Sequence, residues 1–286
     1  MSRLITKADG SQELFDPIKL SASLTKIGAS EEMRAKILDE IHADFDSLKT
    51  TEAIYAKSYE LLKNASPATA ARYSIKRAVL ALGPSGFPFE KFIAEVLRAH
   101  GATMVQTDVT LNGACVPHEV DVYATINGTR VAIEAKFHNS LGTKTDIKDM
   151  LYVHSRFNDL VAAKPKKVDV GWLVTNTRFT THAEQYALCA GVTAIGWDYP
   201  KGKDIQNLIE SAGVHPVTCL TLLSHAEKQT VLSHGVVLAK EIRDRPEILK
   251  KLGIHGERAQ AILEEASHVS VTRPHLNHAL HILKKK

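Results

Sequence analysis

Apolar residues recur three and four apart through residues 31–41, 51–62 and 68–82, the spacing of amphipathic helices that each need a partner for one face. Ahead of them, 4–7 and 13–15 read as short strands around the turn-forming Ala8-Asp9-Gly10-Ser11, and Asp16-Pro17 reads as a helix start. The run Gly83-Pro84-Ser85-Gly86-Phe87-Pro88 breaks this pattern and is expected to be a linker. Beyond it, Phe89, Phe92, Ile93, Val96 and Leu97 form a further helical stripe closed by Gly101. Extended runs are then expected at 103–107, 120–126, 130–137, 168–175 and 192–197, with helices at 145–162 and 181–190. That order describes a mixed sheet flanked by helices, not a series of regular βαβ units. From Leu220 onward the pattern is helical again. The fold class expected is α/β in the middle and α+β over the whole chain, in three units at 1–83, 84–215 and 216–286.

The sharpest local signal is the dipeptide Asn127-Gly128 between two alternating runs, since a two-residue hairpin turn needs positive φ at both positions. With that turn fixed, opposed residues follow: Val122 faces Ile133, Asp121 faces Glu134 and Glu119 faces Lys136. Alternation puts Val120, Val122, Ile126, Val131, Ile133 and Phe137 on a core face, and Glu119, Asp121, Glu134 and Lys136 on a charged one. Two directly opposed carboxylates repel unless positive charge sits between them, and a divalent cation such as Mg²⁺ supplies it. Lys136 points to the same face and is placed to hold or polarise an attacking water. Ordinary cross-strand ion pairs among Glu119, Asp121, Arg130, Glu134 and Lys136 account for the same residues equally well. His118 and His138 at the outer ends of the strands, and Lys144 beyond them, suit packing or loop roles better than phosphate contact.

Composition narrows the classes. The chain has 286 residues, 44% hydrophobic and 24% charged, which excludes disordered, collagenous and disulfide-scaffold proteins. Its three cysteines, Cys115, Cys189 and Cys219, form no C-x-x-C pair, so a zinc ribbon is not expected. With neither a signal-peptide core nor a membrane span in the pattern, a reducing cytoplasm is the expected location. Charge is unevenly spread: 11 Lys and Arg against 7 Asp and Glu in 216–286, against near balance elsewhere. A basic tail of this kind points weakly to nucleic acid.

Three stretches resemble known families. Gly86-Phe87-Pro88-Phe89-Glu90, then His118-Glu119-Val120-Asp121 and Ile133-Glu134-Ala135-Lys136, resemble the PD-(D/E)xK nucleases and in particular the Mrr-like restriction endonucleases, over about residues 86–200. The resemblance implies Asp121 and Glu134 as metal ligands with the Ala135 carbonyl beside them, Lys136 orienting water, and Glu90 as an auxiliary acid. Mg²⁺ or Mn²⁺ would be the cofactor and DNA the substrate.

Residues 3–82 resemble an ATP-cone, on Ile5-Thr6-Lys7-Ala8-Asp9-Gly10, Glu13-Leu14-Phe15-Asp16-Pro17-Ile18-Lys19, Leu48-Lys49-Thr50-Thr51 and Arg72–Arg77. This implies Lys7, Lys19 and Thr50 as contacts to an adenine nucleotide, ATP or dATP, acting as effector. Leu252-Gly253-Ile254-His255-Gly256-Glu257-Arg258-Ala259-Gln260-Ala261-Ile262-Leu263 resembles a helix-hairpin-helix, which offers backbone N–H groups to a DNA phosphate; Leu232-Ser233-His234-Gly235-Val236 resembles a degenerate partner hairpin.

The expected function is therefore a metal-dependent endodeoxyribonuclease, regulated by ATP or dATP through a homo-oligomer and acting away from membranes. The alternative is a nucleotide-responsive DNA-binding regulator that keeps the nuclease fold without cleaving. A reductase repressor is a weaker third reading, for want of zinc-ribbon cysteines.

Overall fold

The computed structural model describes residues 3–8 and 10–272, so Asp9 and the Lys284–Lys286 triplet lie outside the described residues. Leu4–Thr6 (β1) and Gln12–Leu14 (β2) pair antiparallel, with Ile5 opposite Glu13. Asp16 caps Pro17–Lys26 (α1) by accepting from the Ile18 N–H at 2.9 Å, one of the donors that a helix start leaves unpaired. Glu31–Ala43 (α2) and Thr51–Ala65 (α3) complete a small core around Leu24, Ile37, Ile41 and Leu62. The single helix expected over 68–82 is two, Pro67–Tyr73 (α4) and Ile75–Leu80 (α5). They break at Ser74, whose hydroxyl donates back to the Ala71 carbonyl at 2.8 Å and competes with the helical bonding there.

The expected linker is shorter than its Gly and Pro content suggests. Phe87–Ala99 (α6) begins inside it, because Pro88 falls in the first turn, where its missing N–H is no loss. Then come Thr103–Asn112 (β3), Pro117–Ile126 (β4), Thr129–Lys136 (β5), Lys144–Thr145 (β6), Ile147–Ala162 (α7) and Val170–Thr175 (β7). Arg178–Phe179 (β8), Thr181–Ala190 (α8), Thr193–Ile195 (β9) and Ile205–Ala212 (α9) follow. The five-stranded sheet has the order β3-β4-β5-β7-β9, its first two pairings antiparallel and its last two parallel. At the hairpin, Asn127 has φ 50° and Gly128 φ 79°, and the register is the expected one, with Val122 opposite Ile133 and Ile126 opposite Thr129.

Both faces of this sheet are covered. Val122, Ala124, Val131, Ile133 and Trp172 pack with residues of α5, α6 and α9. On the other face Ala132, Leu173 and Ala194 pack with Met150, Val153 and Phe157 of α7 and Ala183 of α8. The face expected to be an open charged surface is therefore mostly a second core, as parallel strands require; Glu134 and Lys136 emerge at its margin beside α7. The C-terminal helices His225–Ser233 (α10), Ala239–Asp244 (α11), Glu247–Lys251 (α12) and Gly256–Val269 (α13) bury Val231, Ile242, Leu249 and Ile262 in the same core as Val122 and Ile133. Among the described residues, no helix is long and apolar enough to cross a membrane.

Candidate active site

The β4–β5 ladder runs up to the pair Val122–Ile133. One residue further, the Asp121 carboxylate reaches across and accepts the Ala135 N–H at 2.7 Å, so that donor no longer serves a ladder. The two strands then follow different neighbours: Glu119 lies opposite Thr110 of β3 and Lys136 opposite Thr175 of β7. This corrects the expected Glu119–Lys136 pairing, while Asp121 and Glu134 stay side by side where the strands part.

Two further carboxylates meet them. Glu90 comes from the first turn of α6. Asp108 comes from β3, where Thr107 opposes Val122 and Val109 opposes Val120, which sets Asp108 abreast of Asp121. Asp108 has φ 55°, a left-handed conformation that Asp tolerates better than most residues. Burial first, then repulsion from Asp121, Asp108 and Glu134, pushes the Glu90 carboxyl up to about 7. Asp121 is also raised by burial, against the pull of the Ala135 N–H and Arg156. Burial and the charge of Asp121 raise Glu134, against Arg156 and Lys136. Sequence reading missed Asp108 because the strand was expected to end at Thr107.

Two basic side chains reach the cluster or its edge. Arg156 of α7 forms an ion pair with Glu134 and also donates to the Glu119 carbonyl. Lys136 reaches Asp149 of α7 at 2.9 Å. Among the described residues, no three His, Cys, Asp or Glu side chains already stand in metal-binding geometry. The chemistry of the donor set nevertheless fits a hard divalent cation: carboxylate oxygens from three strands and a helix brought together, their carboxyls raised by burial first and by one another's charge second.

The histidines fasten loops. His118 Nε2 lies 2.8 Å from Asp159, and His138 Nε2 lies 3.0 Å from Thr145 Oγ1. At the N-terminal end, Lys7 and Lys19 both turn onto Glu13, at 2.8 and 3.5 Å, while Thr50 Oγ1 caps α3 by accepting the Ala53 N–H at 3.0 Å. Lys7 and Lys19 thus converge on one carboxylate, and Thr50 bridges to Thr6 beside Lys7, so the three expected contacts share one neighbourhood in which Glu13 occupies both ammonium groups. A cleft of about 520 Å³ lies nearby, between α1, α3–α5 and the segments that carry Leu141, Arg178 and Trp197. In it Tyr55 stacks on Tyr73 at 5.0 Å, Arg77 lies over Tyr55 at 3.8 Å, and Lys76 lies over Trp197 at 5.5 Å. A neighbouring recess of about 250 Å³ shares Lys76 and Arg178 with the cleft and adds Lys7 and Lys144.

In the C-terminal helices the two hairpins differ. The N–H groups of Val237 and Leu238 are both taken by Glu241 at 2.9 Å, whereas no side chain caps α13 after Gly253 and His255.

Comparison with known proteins matches this architecture. Residues 83–199 match the Mrr_cat restriction endonuclease family, and residues 215–270 match the family described as AF1548-like, C-terminal. An uncharacterized protein of Archaeoglobus fulgidus is 33% identical over 178 residues, spanning 62% of this chain and 99% of that protein. The chain belongs to the AF1548-like family. A crystal structure of the protein of unknown function AF1548 is 31% identical and superimposes with a TM-score of 0.53, covering 65% of this chain and 98% of that one. The AF1548-like chain therefore carries a restriction endonuclease domain, and its mixed sheet between helices fits that fold. Both family matches begin after residue 82, so the ATP-cone resemblance of the N-terminal part has no support from them.

Proposed function

We propose that the protein is a metal-dependent endodeoxyribonuclease. The observation that carries this reading is the meeting of Asp121, Glu134 and Glu90 at the point where β4 and β5 part, with Lys136 at the margin. Asp121, Glu134 and the Ala135 carbonyl would hold Mg²⁺ or Mn²⁺. Such a cation would lower the pKa of water and offset charge on the phosphodiester. The chain's own part is to position. Asp121 is fixed by the Ala135 N–H, Glu90 adds a carboxylate from the opposite side, and Lys136, once released from Asp149, orients water or steadies the phosphate.

Division at 83/84 and 215/216 belongs to the same proposal. The uncapped start of α13, with exposed Lys250, Lys251 and His255 nearby, suits a DNA phosphate and gives the C-terminal unit a binding role. Regulation by ATP or dATP, acting through a homo-oligomer, is assigned to the cleft beside Tyr55 and Lys76. Lys7 borders the adjoining recess, with Thr50 bridged to Thr6 beside it, and Lys19 shares Glu13 with Lys7, so a triphosphate that displaced Glu13 would meet all three. The test is incubation of the protein with supercoiled plasmid and Mg²⁺ or Mn²⁺, with and without ATP and dATP. Nicked or linear products in the presence of metal are expected, and intact plasmid under every condition would sink the reading.

A further inference from the structure

Arg156 stands where the clustered carboxylates would otherwise need a cation. Its side chain is only 16% exposed, and the guanidinium pairs with Glu134 and reaches the Glu119 carbonyl on the neighbouring strand. Asp149, which holds Lys136, lies two turns earlier on the same helix, so one face of α7 restrains both Glu134 and Lys136. With Arg156 in place, Oε2 of Glu134 is committed to an ion pair, and the positive charge beside the carboxylate opposes the approach of a second cation. Removing one partner from such a half-buried pair leaves an uncompensated carboxylate, so the guanidinium leaves readily only when something else positive is ready to take its place.

Arg156 also has somewhere to go. Tyr152, one turn earlier on α7, is 63% exposed, and its ring lies 5.5 Å from the guanidinium, which marks a path from Glu134 toward solvent. A phosphodiester entering the cleft is the natural acceptor, since guanidinium pairs with phosphate oxygens in the same forked geometry as with a carboxylate.

We propose that Arg156 is a resident counter-ion of the site, held on Glu134 in the free protein and transferred to a DNA phosphate on substrate binding, so that DNA and divalent metal bind cooperatively. This rests on the nuclease reading above and adds to it an exchange of partners: the phosphate takes the guanidinium as the cation takes its place on Glu134. By linkage, whatever factor DNA adds to metal affinity, metal adds to DNA affinity.

The experiment is calorimetric titration of Ca²⁺, chosen as a probe that does not require cleavage, into the full chain with and without a short DNA duplex. Wild-type protein alone is expected to bind Ca²⁺ weakly, and DNA to tighten binding within the roughly 5–150-fold range of ordinary coupling. Arg156→Gln is expected to bind Ca²⁺ on the order of tenfold tighter without DNA and to gain little more when DNA is added. Arg156→Lys, which keeps charge but loses the fork, should fall between the two, and it serves as the test if the Gln variant does not fold. Unchanged Ca²⁺ affinity in these variants, or DNA coupling that survives in them, overturns the proposal alone. No Ca²⁺ binding by any form, with or without DNA, overturns the metal-site reading and this inference with it.

Discussion

One carboxylate, Asp159 at the far end of α7, fastens the turn between β3 and β4. It accepts the Cys115 N–H at 2.8 Å and the Val116 N–H at 3.3 Å, and it pairs with His118. These partners, His118 first, hold its carboxyl down at about 2, below its ordinary 3.8. A group with a depressed folded-state pKa stabilises the fold fully above its unfolded value and loses that contribution as pH falls through the folded one. The wild-type melting temperature should therefore drop between about pH 4 and pH 2 in part through Asp159. Asp159→Asn should melt lower than wild type at pH 7, and the gap should narrow toward pH 2. An equal gap at both pH values would show that the hydrogen-bonding shape of the side chain, and not its charge, fastens the turn.

At the scale of elements, α7 decides what the charged margin of the sheet becomes. It can lie close because β7 carries Gly171 beneath Phe157: a Cβ built at Gly171 would overlap the Phe157 ring. Gly171→Ala should therefore cost about 1–3 kcal/mol by overpacking, read by chemical denaturation, and should weaken the hold of Arg156 and Asp149 on the site. A variant as stable as wild type would mean that α7 has freedom to shift. The hairpin was legible in the sequence because Asn127-Gly128 fixes a register that every later residue inherits. The mixed sheet was legible from alternation, and Glu90 from the resemblance of the segment that opens α6. What alternation could not give was the partner of each charge. Arg156 and Asp149 reach Glu134 and Lys136 across tertiary packing that no local period encodes. Asp108 escaped because an exposed edge strand with two residues at positive φ, Met104 and Asp108, carries no clean apolar alternation.

At the scale of the whole molecule, the C-terminal helices share a core with the sheet through Val231, Ile242 and Ile262, so deleting 216–286 would expose that core as well as remove a binding surface. Charge reversal tests the binding role without that confusion. Lys250→Glu with Lys251→Glu, both exposed beside the open hairpin, should weaken DNA binding at every sequence and lower the salt slope by about 1 for each phosphate that is no longer neutralised. An unchanged slope would place the DNA elsewhere on the protein. The reading as a nuclease depends in the end on Asp121, Glu134 and Lys136 acting on one phosphodiester, and the direct measurement is the plasmid cleavage rate with Mn²⁺ for Asp121→Ala, Glu134→Ala and Lys136→Ala beside wild type. The account predicts that each variant keeps a cooperative melt and loses on the order of 10²–10³-fold or more in rate. Wild-type rates in folded Asp121→Ala or Glu134→Ala protein would contradict it.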